Sequence, residues 1–220
     1  MKNNVKEIKA VIFDLGNVLI GFDHTIAVKK ILKHTPKKSR DIYDLFFDSD
    51  ITQEFEKGKT GTLEFFQQVQ TVLELKISYG EFLPIWNEIF FSKPESENFV
   101  GSLNSGIKLA LLSNINQLHY EYIREEFSST IGLFEPDKII PSFRTGFIKP
   151  DKEIYDLALK ALDVPRESVV YVDDRLDLIE AALSYGIKSI QFKTTQELQQ
   201  EFQDLGIIKD FKDFLKSGHK

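Results

Sequence analysis

Two apolar runs of the chain end on acidic side chains, which can attack an electrophile or bind a divalent cation. Asp14 ends the run over residues 11–13, and Asp173 and Asp174 end the run over residues 169–172. Adjacent aspartates at a buried strand end repel each other unless a cation lies between them and a third acid. The sequence therefore predicts a carboxylate cluster, although Asp14 alone fits the cap of a turn equally well.

A hydroxyl and a lysine complete the set of reactive positions. Ser113 follows the apolar run over residues 107–112 and precedes a helix that begins near Asn116. A hydroxyl and backbone N–H groups at such a place hold an anion, but a helix cap explains this serine as well. Lys149 precedes Pro150 in a loop, where an isolated lysine is most often solvated. Neither residue proves a site by itself.

The elements that carry these positions alternate between apolar runs and helical patterns. Strands are predicted over residues 8–14, 107–112, 139–141, 168–172 and 187–192, with two helices after the last strand. From Thr25 to about Phe91, apolar residues recur at helical spacing, with breaks that give four or five short helices. We expect an α/β protein whose ligand site lies at the carboxyl ends of the strands.

Composition restricts the classes of function. The 220 residues carry a net charge of −6, which argues weakly against nucleic acid or an anionic membrane surface as a partner. The absence of cysteine excludes thiol catalysis and zinc–thiolate sites. No signal peptide or membrane span is apparent, so we expect a cytoplasmic protein. The sequence does not indicate an oligomeric state.

Taken together, these stretches resemble the haloacid dehalogenase-like (HAD) hydrolases. The first motif of that family is Asp-x-Asp-x-(Thr/Val), in which Asp14 matches the nucleophile and Val18 the last position. The resemblance implies a Rossmann-like parallel sheet with helices on both faces. It also implies a Mg²⁺-dependent phosphatase, in which Asp14 attacks phosphorus to form an aspartyl-phosphate.

The resemblance assigns a role to each reactive position. Ser113 and the N–H groups of Leu15 and Asn114 would bind the phosphoryl oxygens, and Lys149 would neutralise the nucleophile and the phosphate. The Mg²⁺ ligands would be the Asp14 carboxylate, the main-chain carbonyl of Gly16 and Asp174, with Asp173 nearby or acting through water. The paired acids favour phosphate over the halide chemistry of a 2-haloacid dehalogenase, which needs no metal.

The helical segment resembles the cap that one HAD subfamily inserts between its first and second motifs. We expect a core of residues 1–21 and 92–220 and a cap of residues 22–91. Such caps choose the substrate, for which a small phosphorylated metabolite, in particular a sugar phosphate, is our expectation. Lys57, Lys59 and Trp86 belong to this segment, but surface lysines and a core tryptophan are the simpler interpretation.

Gly16 departs from the family, because most phosphatases carry a second aspartate there that protonates the leaving oxygen, a contribution of about 10²- to 10⁴-fold. The sequence Leu-Gly-Asn-Val after Asp14, together with residues 112–119 and 172–175, resembles a bacterial branch that includes glucose-1-phosphate phosphatases, which remain active with glycine at this position. We favour an active enzyme, with a disabled module that only binds a phosphorylated ligand as the alternative. Asp23 or His24 would replace the acid, although capping of a helix is the simpler role for Asp23. His119 would touch the substrate or lie exposed.

Overall fold

The computed structural model describes residues 7–103 and 106–208. Within them, five parallel strands form one sheet in the order β5-β4-β1-β6-β7. These strands are β1 (Ala10–Phe13), β4 (Lys108–Ser113), β5 (Ile139–Pro141), β6 (Val169–Asp173) and β7 (Lys188–Gln191). The central strand pairs Ala10 with Lys108 on one side and with Val169 on the other. The α/β Rossmann-like fold class predicted from the sequence is confirmed.

Helices cover both faces of this sheet. They are α6 (Pro94–Gly101), α7 (Gln117–Glu126), α8 (Ser128–Ile131), α9 (Lys152–Leu162), α10 (Leu176–Ser184) and α11 (Thr195–Asp204). Side chains alternate along β1, so that Val11 and Phe13 enter one hydrophobic cluster while Ala10 and Ile12 enter the other. Burial on both faces explains why the strands read as continuous apolar runs rather than as alternating ones.

The segment between the first and the fourth strand is mainly helical. It contains α1 (His24–Ile31), α2 (Ser39–Asp48), α3 (Asp50–Glu56), α4 (Thr62–Leu73) and α5 (Tyr79–Asn87). A third hydrophobic cluster, rich in aromatic side chains, joins these helices and includes Phe55, Phe65 and Trp86. Ser78 begins α5 with a capping box, in which its hydroxyl accepts from the N–H of Glu81.

Two short strands border this helical segment, and the sequence analysis missed their pairing. Strands β2 (Ile20–Phe22) and β3 (Phe90–Ser92) form an antiparallel pair at the two ends of the helices. The strands approach closely at Gly21, where a Cβ atom would lie 2.1 Å from the ring of Phe91 and would have to displace it. Three-residue strands are too short to show a periodic pattern in the sequence.

Some expectations concern residues outside the described part of the chain. The second predicted C-terminal helix and the first residues of the N-terminus lie beyond residues 7–208. Within the described ranges, no helix combines the length and the apolar composition that crossing a lipid bilayer requires.

Candidate active site

The reactive positions predicted from the sequence meet at the carboxyl edge of the sheet. Asp14 follows β1, while Ser113 and Asp173 are the last residues of β4 and β6. The N–H of Asp14 donates to the carbonyl of Val172 at 2.8 Å, which fixes the first and last acidic positions next to each other. A cavity of about 410 Å³ opens above them, and Asp174 and Lys149 also line it.

Lys149 is the electrostatic centre of this cluster. Its Nζ atom lies 2.6 Å from Oδ1 of Asp14 and 2.6 Å from Oδ2 of Asp173. Only 4% of the lysine surface is exposed, so the two ion pairs are shielded from water. An ammonium group buried between two carboxylates holds both in place and offsets their charge.

Burial and charge shift the pKa values of this cluster in opposite senses. Burial raises the pKa of Asp14 to about 7, against the opposing effect of Lys149. Burial alone would lower the pKa of Lys149, but the carboxylates of Asp14 and Asp173 raise it overall. The lysine is therefore charged at every physiological pH, whereas the nucleophile candidate needs further positive charge to stay ionised.

Three carboxylates of the cavity are close enough together to hold a divalent cation. Oxygen atoms of Asp14, Asp173 and Asp174 lie within 4.8 Å of one another. Burial and the neighbouring Asp173 raise the pKa of Asp174, as expected for crowded acids. All-oxygen sites of this kind suit Mg²⁺. These residues form the candidate metal site.

The two adjacent aspartates differ in what they can still bind. Asp173 receives hydrogen bonds at Oδ2 from Lys149 and from the Tyr171 hydroxyl, and at Oδ1 from the N–H of Arg175 at 2.9 Å. Asp174 accepts one side-chain bond, from Nδ2 of Asn17 at 3.1 Å, and only at Oδ2. Asp174 therefore keeps more lone pairs for a cation, while Asp173 mainly positions the lysine.

The polar residues after β4 support Lys149 as well as lining the cavity. The side chain of Asn114 accepts the backbone N–H of Lys149 at 2.7 Å and donates to its carbonyl at 3.0 Å. Leu15 and Ser113 also line the cavity. This two-point bond of Asn114 fixes the lysine loop, a role that the sequence analysis did not assign to its side chain.

The place of the missing acid is filled by an aromatic ring. A Cβ atom on Gly16 would lie 2.8 Å from Cε1 of Phe22 and 3.8 Å from Oδ2 of Asp14. The ring of Phe22 packs against the imidazole of His24, with the ring centroids 4.9 Å apart. A larger residue at position 16 would have to displace this ring, so glycine and Phe22 form a matched pair.

The three additional substrate candidates lie in different surroundings. Asp23 is the N-cap of α1, where Oδ1 accepts from the N–H of Thr25 at 2.8 Å. His24 lines the cavity, and burial lowers its pKa, against the opposing charge of Asp23. His119 also lines the cavity and is buried rather than exposed, at 7% exposure.

The hydrogen bonds of His119 limit its chemistry. Its Nε2 donates to the carbonyl of Trp86 at 3.0 Å, and its Nδ1 accepts from Nδ2 of Asn116 at 3.1 Å. Its ring stacks on the Trp86 indole, with centroids 4.8 Å apart. Burial lowers the pKa of His119 to about 3. The imidazole is neutral, and both of its nitrogen atoms are occupied.

The sequence analysis missed several residues that line the same cavity. The α3 helix contributes Thr52, Gln53 and Glu56, and the loop after β6 contributes Arg175. No motif marks these side chains, because their direction depends on how α3 packs against the rest of the chain. Lys57 and Lys59, the neighbours named from the sequence, are not among the cavity residues.

Comparisons with known proteins extend these observations. A model of the haloacid dehalogenase-like hydrolase family matches residues 8–186. A D-ribitol-5-phosphate phosphatase of Bacteroides thetaiotaomicron is 27% identical over 88% of this chain and 96% of its own length. A sesquiterpene phosphatase of Aspergillus oryzae is 25% identical over 87% of this chain and 95% of its own.

The fold itself recurs in solved structures. A HAD-family enzyme of Bacteroides thetaiotaomicron, solved in complex with magnesium and inorganic phosphate, superposes with a TM-score of 0.74. It is 21% identical, and the match covers 84% of this chain and 94% of that one. At this level of identity, the likeness is one of fold.

Proposed function

The chain belongs to the haloacid dehalogenase-like hydrolase family, and from that premise we propose that it is a Mg²⁺-dependent phosphatase of a small phosphorylated metabolite. The observation that carries this proposal is the group of three carboxylates around one buried lysine. Carboxylate oxygens within 4.8 Å of one another could hold a Mg²⁺ ion, which would offset the negative charge of a phosphate. Halide displacement would have no use for this cation site.

In the proposed reaction, Asp14 is the nucleophile. Its Oδ1 is held by Lys149, and no described residue donates a hydrogen bond to Oδ2, which is therefore the oxygen that attacks phosphorus. Lys149 balances the charge of the carboxylate and of the incoming phosphate. Ser113 and the N–H groups of Leu15 and Asn114 would bind the phosphoryl oxygens as their charge develops.

Asp14, Asp174 and the carbonyl of Gly16 would hold the cation, with Asp173 beside them. When bound, Mg²⁺ neutralises negative charge on the phosphoryl group and favours the ionised nucleophile. The high pKa of Asp14 without metal supports this requirement, since a carboxylate must be ionised to attack. Asn17 and Lys149 keep two of the acids oriented in the meantime.

We further propose that residues 22–91 act as the cap that selects the substrate. Thr52, Gln53 and Glu56 place hydrogen-bonding groups on the wall of the cavity that the helical segment contributes. Such groups suit the hydroxyls of a sugar or polyol phosphate, the class to which the substrate of the Bacteroides relative belongs. Trp86 and Phe90 supply an apolar surface for the carbon chain.

The test is phosphate release from sugar phosphates, polyol phosphates, nucleotides and p-nitrophenyl phosphate, with Mg²⁺ or with EDTA. We expect turnover with Mg²⁺ that EDTA abolishes, and a loss of at least about 10³-fold in Asp14→Asn. Asp163→Asn is the matched control, because Asp163 ends α9 in the left-handed conformation that asparagine also adopts.

Three results would contradict the proposal. Folded wild-type protein that releases no phosphate from any compound would leave only the ligand-binding alternative that the absence of an acid at Gly16 suggests. Full activity in EDTA would remove the metal from the reaction. Chloride release from 2-chloropropionate without phosphate release would identify a dehalogenase.

A further inference from the structure

The proposed phosphatase reaction leaves one proton without a donor. When the P–O bond of an alkyl phosphate breaks, the departing oxygen needs a proton, because an alkoxide is a poor leaving group. Gly16 has no side chain to supply it, and the ring of Phe22 lies 2.8 Å from where a Cβ atom would be. The donor must come from elsewhere in the cavity wall.

Most titratable groups of the cavity are already committed to other contacts. Lys149 bonds two carboxylates, and Asp173 receives three hydrogen bonds. Arg175 is always charged and pairs with Asp177 at 2.6 Å. Both ring nitrogens of His119 are engaged, as described above. Asp14 and Asp174 belong to the nucleophile and the metal site.

Glu56 differs from these groups because its carboxyl group is not committed to another contact. It is the last residue of α3, and it lines the cavity together with Asp14 and Lys149. Among the described residues, no side chain or backbone group forms a hydrogen bond or an ion pair with its carboxyl group. A mostly buried carboxyl without a partner is costly, and such groups are found where function requires them.

Several contacts hold the backbone around Glu56, although its carboxyl group has no partner among the described residues. The Ser142 hydroxyl donates to the Glu56 carbonyl at 2.7 Å and accepts the N–H of Ile115 at 2.9 Å. Two residues later, Gly58 has a φ of +70° and packs so closely that a Cβ atom would lie 1.9 Å from the carbonyl oxygen of Phe143. These contacts hold the end of α3 against the core.

We propose that Glu56, delivered from the cap, is the general acid and base of the reaction, replacing the aspartate that the family usually carries at position 16. It is the one carboxyl group of the described cavity wall that is neither hydrogen-bonded within the protein nor assigned to the nucleophile or the metal site. Its side chain comes from the cap and lines the same cavity as Asp14 and Lys149, with Lys149 and Arg175 as its charged neighbours.

The protonation state of Glu56 agrees with this role. Burial raises its pKa to about 7, although Arg175 and Lys149, the two cations that face it, act to lower it. A group with a pKa near the working pH can both donate and accept a proton. An ordinary glutamate would be ionised at pH 7 and would not protonate a leaving oxygen.

The two steps balance in protons and electrons. Oδ2 of Asp14 forms a bond to phosphorus, the bond from phosphorus to the alkyl oxygen breaks, and that oxygen takes the proton of Glu56. The Glu56 carboxylate then accepts a proton from the water that attacks phosphorus. The bond to Asp14 breaks, which restores the free carboxylate and releases inorganic phosphate.

The test uses two substrates that differ in their need for an acid. The first substrate is D-ribitol 5-phosphate, or whichever sugar phosphate of the panel is hydrolysed fastest, and its leaving group is an alkoxide. The second substrate is p-nitrophenyl phosphate, whose leaving group is a stable phenolate. In Glu56→Gln we expect kcat/KM for the alkyl phosphate to fall about 10²- to 10⁴-fold, and for p-nitrophenyl phosphate less than about tenfold. A burst of p-nitrophenol is also expected, because water attack on the aspartyl-phosphate is slowed.

Two further variants serve as controls. Glu54→Gln makes the same change on the same helix, at an exposed side chain that pairs with Lys59, and we expect both rates to be unchanged. His24→Gln tests the other titratable residue of the cavity rim, and we expect it to affect the two substrates equally. The melting temperature of Glu56→Gln checks that the isosteric variant is folded.

The inference rests on the proposed phosphatase function, but the two can fail separately. An equal loss on both substrates in Glu56→Gln, or no loss on either, would overturn the role of Glu56 and leave the phosphatase intact. A selective loss on the alkyl phosphate in His24→Gln alone would assign the proton to His24 instead. Wild-type protein inactive on both substrates would overturn the phosphatase proposal and the inference with it.

Discussion

The two walls of the active-site cavity differ in how their polar groups are partnered. On the core wall, formed by Asp14, Lys149, Asp173 and Asp174, every side chain has at least one charged or hydrogen-bonded neighbour within 3.1 Å. On the cap wall, formed by Thr52, Gln53 and Glu56, the Thr52 hydroxyl donates to the carbonyl of Leu45 at 2.8 Å, but the Glu56 carboxyl group has no such neighbour among the described residues.

The difference indicates that the two walls have separate roles in the reaction. Groups that must keep one position, such as the lysine and its acids, are held by ion pairs before the substrate arrives. A group that must pass a proton to the substrate has to be free of strong partners, because such a partner would occupy the oxygen that carries the proton. The core wall, whose groups are bonded within the protein, would therefore supply the electrostatic stabilisation, and the unpaired carboxyl group of the cap wall would transfer the proton.

The largest effect is expected from breaking the core wall at its centre. Lys149→Met leaves Asp14 and Asp173 buried without a counter-charge, which costs about 3–5 kcal/mol of folding free energy in EDTA. Activity should fall at least about 10²-fold. Urea unfolding with EDTA measures the first effect, and phosphate release the second.

A matched variant tests whether burial is the reason. Lys152→Met removes a lysine three residues further along, at the start of α9, whose ion pair with Asp156 is exposed, so we expect a change within about 0.5 kcal/mol. Equal stability losses in the two variants would contradict the idea that the core wall depends on its buried ion pairs.

The second expected effect comes from the backbone that supports the cap wall. Gly58→Ala introduces a side chain at a φ of +70° and against the Phe143 carbonyl, and we expect a loss of about 1–3 kcal/mol. The end of α3 would shift, so turnover of alkyl phosphates should fall more than turnover of p-nitrophenyl phosphate. Gly80→Ala, where a Cβ atom meets nothing within 4 Å, should be neutral or slightly stabilising. Equal behaviour of the two variants would contradict this account.

The acids of the core wall are visible in the sequence because each of them follows an apolar strand. Asp14, Ser113 and Asp173 are found by reading where buried runs end, and parallel strands bring such ends to one edge. Lys149 came from its resemblance to a family motif rather than from a pattern. The sheet is also predictable, since burial on both faces gives continuous apolar runs.

The residues of the cap wall cannot be identified from the ends of apolar runs in the sequence. Glu56 lies in a polar stretch beside Lys57 and Lys59, and sequence alone does not tell which of these side chains faces the cavity. The answer depends on a contact between residues 86 positions apart, from the Ser142 hydroxyl to the Glu56 carbonyl. Gly16 was recognised as a departure, but the packing of Phe22 into the vacated space needed the structure.

The raised pKa of Glu56 makes the contribution of the cap wall to stability depend on pH. The pKa of Glu56 is raised from 4.5 to about 7 in the folded state, so between these values the folded protein binds more protons than the unfolded one. This carboxyl therefore stabilises the fold less as pH rises, and its contribution is lost above pH 7. Relative to wild type, Glu56→Gln should gain about 1–2 kcal/mol between pH 5 and pH 8, allowing for partial exposure.

Urea unfolding in EDTA at the two pH values measures this change. The raised pKa of Asp14 affects wild type and variant alike, so it cancels in the difference. The cost of burying the new amide also cancels, because it does not depend on pH. A difference between the two proteins that is the same at pH 5 and pH 8 would show that Glu56 has an ordinary pKa.

The smallest effect is expected at Asp23, an acid that precedes the cavity residue His24 but does not itself line the cavity. Its carboxylate caps α1 by accepting the N–H of Thr25, so Asp23→Ala should lower the melting temperature by a few degrees and leave kcat/KM unchanged. Asp23→Asn keeps an oxygen acceptor and should behave as wild type in both respects. An acid in catalysis would behave differently, because asparagine cannot donate its proton and activity would fall in both variants. Thermal unfolding together with alkyl phosphate turnover therefore decides whether the proton comes from the rim at Asp23 or from the cap wall at Glu56.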